Sequence, residues 1–176
     1  YLHSPIVSGD SSTMPAPFNA DEVFEIACRI ERNGARFYRK AAGYELDESA
    51  TALLEKLASM EDRHLEMFRR MRSNLASDAP RDWEFDFRDE AEGYLQAVAD
   101  GKVFDTTDPA EKLTGDESAL EIIDMAIGIE KESVVYYTGI QSVMPEDLGR
   151  EEVAEIIRQE LSHVAILTGL KARLQQ

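Results

Sequence analysis

Four segments of this chain repeat apolar residues at alternating steps of three and four, and each breaks that pattern once, near its middle, with a glutamate. Such steps trace one face of an α-helix. The first segment runs from about Asp21 to Gly43, with the stripe Phe24, Ala27, Glu31, Gly34, Tyr38. The second runs from about Glu48 to Leu75, with Leu54, Leu57, Glu61, His64, Phe68, Met71. The third runs from about Asp116 to Val143, with Leu120, Ile123, Ile127, Glu130, Val134, Tyr137. The fourth runs from Asp147 or Arg150 to Leu174, with Val153, Ile156, Glu160, His163, Leu167, Leu170. In the second and fourth stripes a histidine follows the glutamate three residues later.

A helix rises about 1.5 Å per residue, so all four glutamates lie near half-height of their helices. The short connections around "GYELD" and "MPEDLG" make two antiparallel hairpins. The longer stretch 76–117 then crosses from one hairpin to the other and holds one short helical pattern, Glu90 to Ala99. The expected architecture is all-α: a four-helix bundle over residues 20–176, preceded by a loose Ser- and Pro-rich segment at 1–19. In that bundle the glutamates meet in one layer.

Four bare carboxylates in an apolar layer cost several kcal/mol each, against a total stability of about 5–15 kcal/mol. Protons or cations must neutralise them. Four carboxylates and two imidazoles match the ligand set of a two-metal carboxylate site, one Glu from each of two helices and a Glu-x-x-His from each of the others. Residues at i and i+3 share a helix face, so each Glu-His pair can approach one metal. The candidate ligands are therefore Glu31, Glu61, His64, Glu130, Glu160 and His163. Oxygen and imidazole donors suit iron or manganese, and zinc is also compatible.

One Glu-x-x-His alone would read as an exposed surface pair. Here the motif recurs in register. A shift of 99 residues lays Glu31 on Glu130, Tyr38 on Tyr137, Glu61 on Glu160 and His64 on His163. Tyr38 and Tyr137 sit two turns past their glutamates. They read either as core aromatics with a satisfied hydroxyl or as hydrogen-bond partners of a ligand carboxylate. Cys28 reads as a small buried hydrophobe, and the acidic aromatic run 82–87 as a loop packed on the bundle.

The net charge of −16 excludes a nucleic-acid surface, which needs clustered Lys and Arg. It also disfavours anionic membranes, and no apolar run approaches a membrane span. The single cysteine allows no intrachain disulfide and no four-cysteine metal site. The N-terminal segment lacks the basic start and apolar stretch of a signal peptide. Together these point to a reducing, cytoplasmic setting.

The motifs "IERNGARFY" (30–38), "EDRH" (61–64), "IEKESVVYY" (129–137) and "ELSH" (160–163) resemble the ferritin-like superfamily, in its rubrerythrin-like branch. That resemblance implies a four-helix bundle with a left-handed crossover and a site for two iron ions. It also implies redox chemistry with peroxide or dioxygen and a homodimer or larger assembly. Two departures stand out. Rubrerythrins carry a four-cysteine rubredoxin domain that relays electrons, so the electron donor here is expected to be an external protein such as a rubredoxin. They also place an extra glutamate one turn from the third-helix ligand, where this chain has Ile127 and Ser133. Two further readings compete with the oxidoreductase: an iron-storage ferroxidase, and a structural bundle stapled by a redox-silent metal.

Overall fold

A computed structural model of the 176-residue chain describes residues 20–44, 46–77, 90–99 and 107–176. The described residues form five α-helices and two single 3₁₀ turns, and no strand occurs among them. Helix α1 spans Ala20–Ala42, α2 Glu48–Ser77, α3 Glu90–Ala99, α4 Ala119–Val143 and α5 Arg150–Leu174. The 3₁₀ turns are Pro109–Lys112, ahead of α4, and Glu146–Leu148, ahead of α5. The expected loose segment at 1–19 and the run 82–87 lie outside the described residues, as do 78–89 and 100–106 of the crossover.

Local chemistry sets the helix ends. Asp21 and Glu22 in the first turn of α1, and Arg39 and Lys40 in its last, complement the helix dipole. Asp47 starts α2: its carboxylate accepts from the Ala50 amide at 2.9 Å and its carbonyl from Thr51 at 3.0 Å. Ser118 and Glu121 close a capping box on α4, which is why that helix begins at Ala119 rather than near Asp116. Gly149 takes φ +94° in the turn before α5, a conformation that disfavours any side chain. Of the two expected starts of the last helix, the chain uses Arg150.

α1 pairs with α2 and α4 with α5, and the two hairpins face each other. The crossover is fastened back onto α1 by two cations. Lys40 Nζ donates to the carbonyls of Ala110 at 2.8 Å and Leu113 at 2.6 Å, and Arg36 meets Asp108 at 2.6 Å. α3 lies against α4 and α1.

The core divides into two apolar clusters. One contains Phe24, Phe68, Ile140, Val153 and Ile156, the other Phe37, Leu54, Leu57, Ile123, Leu167 and Leu170. Between these clusters sits the layer of glutamates and histidines, all nearly or wholly removed from solvent. Burying each of those large side chains contributes roughly 1.5–3 kcal/mol, and this offsets the polar layer between them.

The expected stripes of α2 and α5 are their buried faces. On α1 the stripe is buried, but so are Ile26, Cys28, Ile30 and Phe37, because α1 packs on α3 and the Pro109–Lys112 turn as well as on α2. On α4 the stripe is buried at Ile123, Ile127, Glu130 and Tyr137 but not throughout. Leu120 and Val134 are only half-buried, while Ile122, Ala126, Ser133 and Tyr136 are inside. The reason is that α4 packs on α3 as well as on α5, so its apolar residues cover more than one face.

Candidate metal centre

Each helix of the bundle delivers its side chains to one layer from a different corner: Glu31 from α1, Glu61 and His64 from α2, Glu130 from α4, Glu160 and His163 from α5. All six residues are at most 3% exposed. The structure brings them together in two groups. Glu31, Glu61, His64 and Glu160 offer one atom each within 4.8 Å of one another, and so do Glu61, Glu130, Glu160 and His163. Glu61 and Glu160 belong to both groups.

The separations are those of donors around a common centre. His64 Nδ1 lies 2.9 Å from Glu160 Oε1 and 3.5 Å from Glu31 Oε2. His163 Nδ1 lies 2.9 Å from Glu160 Oε2 and 3.5 Å from both Glu61 Oε1 and Glu130 Oε1. Two ligand atoms each about 2.0–2.2 Å from one ion, at right angles, would be about 3 Å apart. Several of these atoms lack any hydrogen-bond partner although fully buried: Glu31 Oε2, Glu61 Oε1, His64 Nδ1, Glu130 Oε2 and Glu160 Oε1. An orphaned buried polar atom costs about 1–3 kcal/mol, more if charged. Orphans that converge from four helices are what a pair of cations would satisfy, so the donor set fits two metal ions.

One oxygen of each of two glutamates is held. Tyr137 donates to Glu31 Oε1 at 2.5 Å, and Tyr38 donates to Glu130 Oε1. The two bonds are related by the 99-residue repeat, each tyrosine reaching the glutamate of the opposite copy. Both tyrosines are fully buried, and of the two readings open at the sequence level the hydroxyls take the carboxylates as partners. His64 is held from outside by Gln159, a residue the sequence reading passed over. Its signal was only that Gln159 precedes the second Glu-x-x-His while Met60 precedes the first.

Electrostatics in the metal-free layer favour retained protons. Burial first, then the charges of Glu31, Glu160 and Glu130, push the Glu61 carboxyl well above its ordinary range. Burial likewise raises Glu31, with the Glu160 charge adding to it. Burial is also the main cause that lifts Glu130 to about 8. Burial opposes charge on both imidazoles, but the close carboxylates of Glu160 and Glu31 outweigh it at His64 and push it up to about 11. Those of Glu130 and Glu160 do the same at His163, up to about 9. Burial would raise Glu160 too, yet its two histidines outweigh that and hold it well below the usual carboxylate range. A metal entering here must displace protons.

A cavity of about 160 Å³ opens between α1, α4 and the Pro109–Lys112 turn, walled by Ile30, Asn33, Gly34, Ile129 and Ser133. A water's share of liquid volume is about 30 Å³, so small molecules fit easily. Gly34 separates this space from the centre, and a Cβ there would lie 3.0 Å from Glu61 Oε2. Ser133, one turn past Glu130, turns its hydroxyl to its own helix at Ile129 and brings no carboxylate. Gly34→Ala is expected to act in two opposite directions. A mid-helix alanine adds up to about 1 kcal/mol to the metal-free fold, while the new methyl displaces the Glu61 carboxylate and lowers metal retention several-fold. Thermal melts and metal content, measured on one preparation, check both halves.

No helix among the described residues is long and apolar enough to cross a membrane. The family model of the ferritin-like domain matches residues 20–172 of this chain. A crystal structure from Thermotoga maritima, of a protein provisionally described as ferritin-like and diiron-carboxylate, matches with a TM-score of 0.62 at 22% identity, covering 89% of this chain and 96% of that one. At that identity the likeness speaks to the fold. No functionally curated protein matches.

Proposed function

The chain belongs to the ferritin-like domain family, and on that premise we propose that it is a non-haem di-iron oxidoreductase of rubrerythrin type. It reduces peroxide, or oxidises Fe(II) with peroxide or dioxygen, and takes electrons from an external donor protein such as a rubredoxin. The observation that carries the reading is the pair of four-donor groups sharing Glu61 and Glu160. Iron is the favoured metal, since the donors are oxygen and imidazole without thiolate.

Two iron ions held there would supply two electrons to one small oxidant. The chain's own residues do the rest. Glu31 and His64 would hold one ion and Glu130 and His163 the other, with Glu61 and Glu160 within reach of both. Tyr137 and Tyr38 each fix one oxygen of a glutamate, Glu31 and Glu130, by a hydrogen bond and so hold both carboxylates in place. The two apolar clusters exclude bulk water from the layer. Gly34 leaves the oxidant an approach from the cavity side. Electrons must come from outside these 176 residues' cysteine chemistry, since the single Cys28 is buried and supports no iron site.

The test is stoichiometric. Protein loaded with two Fe(II) per chain without air is mixed with hydrogen peroxide. The expected balance is two Fe(II) oxidised per peroxide, with two protons taken up and two waters formed. Oxidation no faster than that of free Fe(II) at equal concentration would overturn the redox reading and leave a metal that serves only to hold the bundle.

A further inference from the structure

We propose that the two metal positions are unequal and that Gln159 makes them so. By fixing His64 as a ligand it causes the position of Glu31 and His64 to fill first. The proposal rests on the reading of this layer as a two-metal site. His64 Nε2 lies 2.9 Å from Gln159 Oε1. The amide's orientation is set from its other side, because Gln159 Nε2 donates to Glu155 Oε1 at 2.9 Å and a carboxylate can only accept. The oxygen therefore faces the ring. It too can only accept, so Nε2 carries the hydrogen, and in the neutral imidazole Nδ1 keeps its lone pair toward Glu31 and Glu160. Gln159 thus selects both the tautomer and the ring orientation that a metal needs.

His163 has no such anchor. Its Nδ1 faces the carboxylates, but its Nε2 is buried without a hydrogen-bond partner among the described residues. The 99-residue register says why. Gln159 corresponds to Met60, and Glu155 to Lys56. A thioether is a weak acceptor, and an ammonium cannot accept at all. One copy of the repeat carries the outer support of its histidine ligand and the other does not. Losing such a partner typically weakens metal binding about 10–100-fold, which sets the difference expected between the two positions.

The test uses zinc, a diamagnetic probe, titrated into the metal-free full chain while ring-nitrogen NMR signals of the histidines are followed. The first equivalent is expected to move His64 Nδ1 and the second His163 Nδ1, with dissociation constants about 10–100-fold apart. Gln159→Met should weaken the first step by that factor and abolish the order. Gln159→Glu, which keeps an acceptor, should restore it, and Met60→Gln should tighten the second step. A merely structural role for Gln159 would shift the melting temperature without changing which histidine responds first. Two zinc ions that bind together with equal affinity, or an order unchanged in Gln159→Met, would overturn the proposal and leave the two-metal reading standing. Protein that holds no zinc at all would remove that reading itself.

Discussion

Replacing Glu61 by alanine is expected to empty the centre, lowering retained metal from about two ions per chain to well under one, while the bundle stays folded. Glu61 belongs to both donor groups, so its loss removes an oxygen from each position at once. The effect on the metal-free fold should be small for a buried residue. Deleting a buried core leucine such as Leu57, 1% exposed, costs about 2–5 kcal/mol in lost burial and cavity. Glu61→Ala also leaves a cavity, but it relieves a carboxyl whose burial and neighbouring charges already oppose ionisation. We expect a metal-free cost below about 2 kcal/mol, or a slight gain. Metal content by elemental analysis, set beside chemical denaturation of both metal-free variants, reads the two effects separately. Full metal content in Glu61→Ala would show that the ligand set is wrong.

Metal removal is expected to produce the largest stability change, and one that depends on pH. Each ion held at a hundredfold excess over its dissociation constant stabilises the fold by about 2.7 kcal/mol. For a chain of this size each kcal/mol moves the melting temperature by roughly 2–4 °C, so two ions are worth about 10–20 °C. The metal-free protein should lose stability as pH rises. His64 and His163, raised to about 11 and about 9, stabilise the fold fully below their unfolded value near 6.5 and cease to do so as pH climbs through those values. The raised carboxyls of Glu31, Glu61 and Glu130 act in the same sense, because the folded state keeps protons that the unfolded chain has already released above about 4.5. Glu160, held low, acts oppositely, but its contribution fades only in acid. From pH 5 to 9 the folded metal-free chain therefore binds more protons than the unfolded one, and its melting temperature should fall. Metal-loaded protein, its ligands already deprotonated, should show a much flatter profile, and loading at neutral pH should release protons measurable in weak buffer.

Much of this arrangement was legible in the sequence, for a physical reason. α2 and α5 each have one buried face and one wet one, and the stripe of α1 is buried as well, so in all three the interrupting glutamate points inward. The repeat register then paired Glu31 with Glu130 and Tyr38 with Tyr137, and the folded chain crosses those pairs through two tyrosine hydroxyls. α4 was read less well. Its second neighbour, α3, buries residues off the main stripe, and periodicity carries no information about a neighbour that arrives from elsewhere in the chain. The start of α4 was placed only near Asp116, because Asp and Ser both start helices and only the reciprocal bond between Ser118 and Glu121 marks the true one. Gln159 was missed because a polar residue beside a ligand looks like any half-exposed position. Its role comes from His64, 95 residues away in sequence. Gly34 was noticed as one turn from Glu31, but that its missing side chain spares Glu61 on the neighbouring helix is a fact of packing alone.

The measurement that bears most directly on the two-metal centre is a count of iron. Metal-free protein is exposed to excess Fe(II) in air, loose iron is removed on a chelating column, and the iron retained per chain is determined. The geometry of two four-donor groups with two shared glutamates predicts about two. Tens of ions per chain would contradict a discrete redox centre and make storage the primary role, and no retained iron would return the buried glutamates to an unexplained cost in the core.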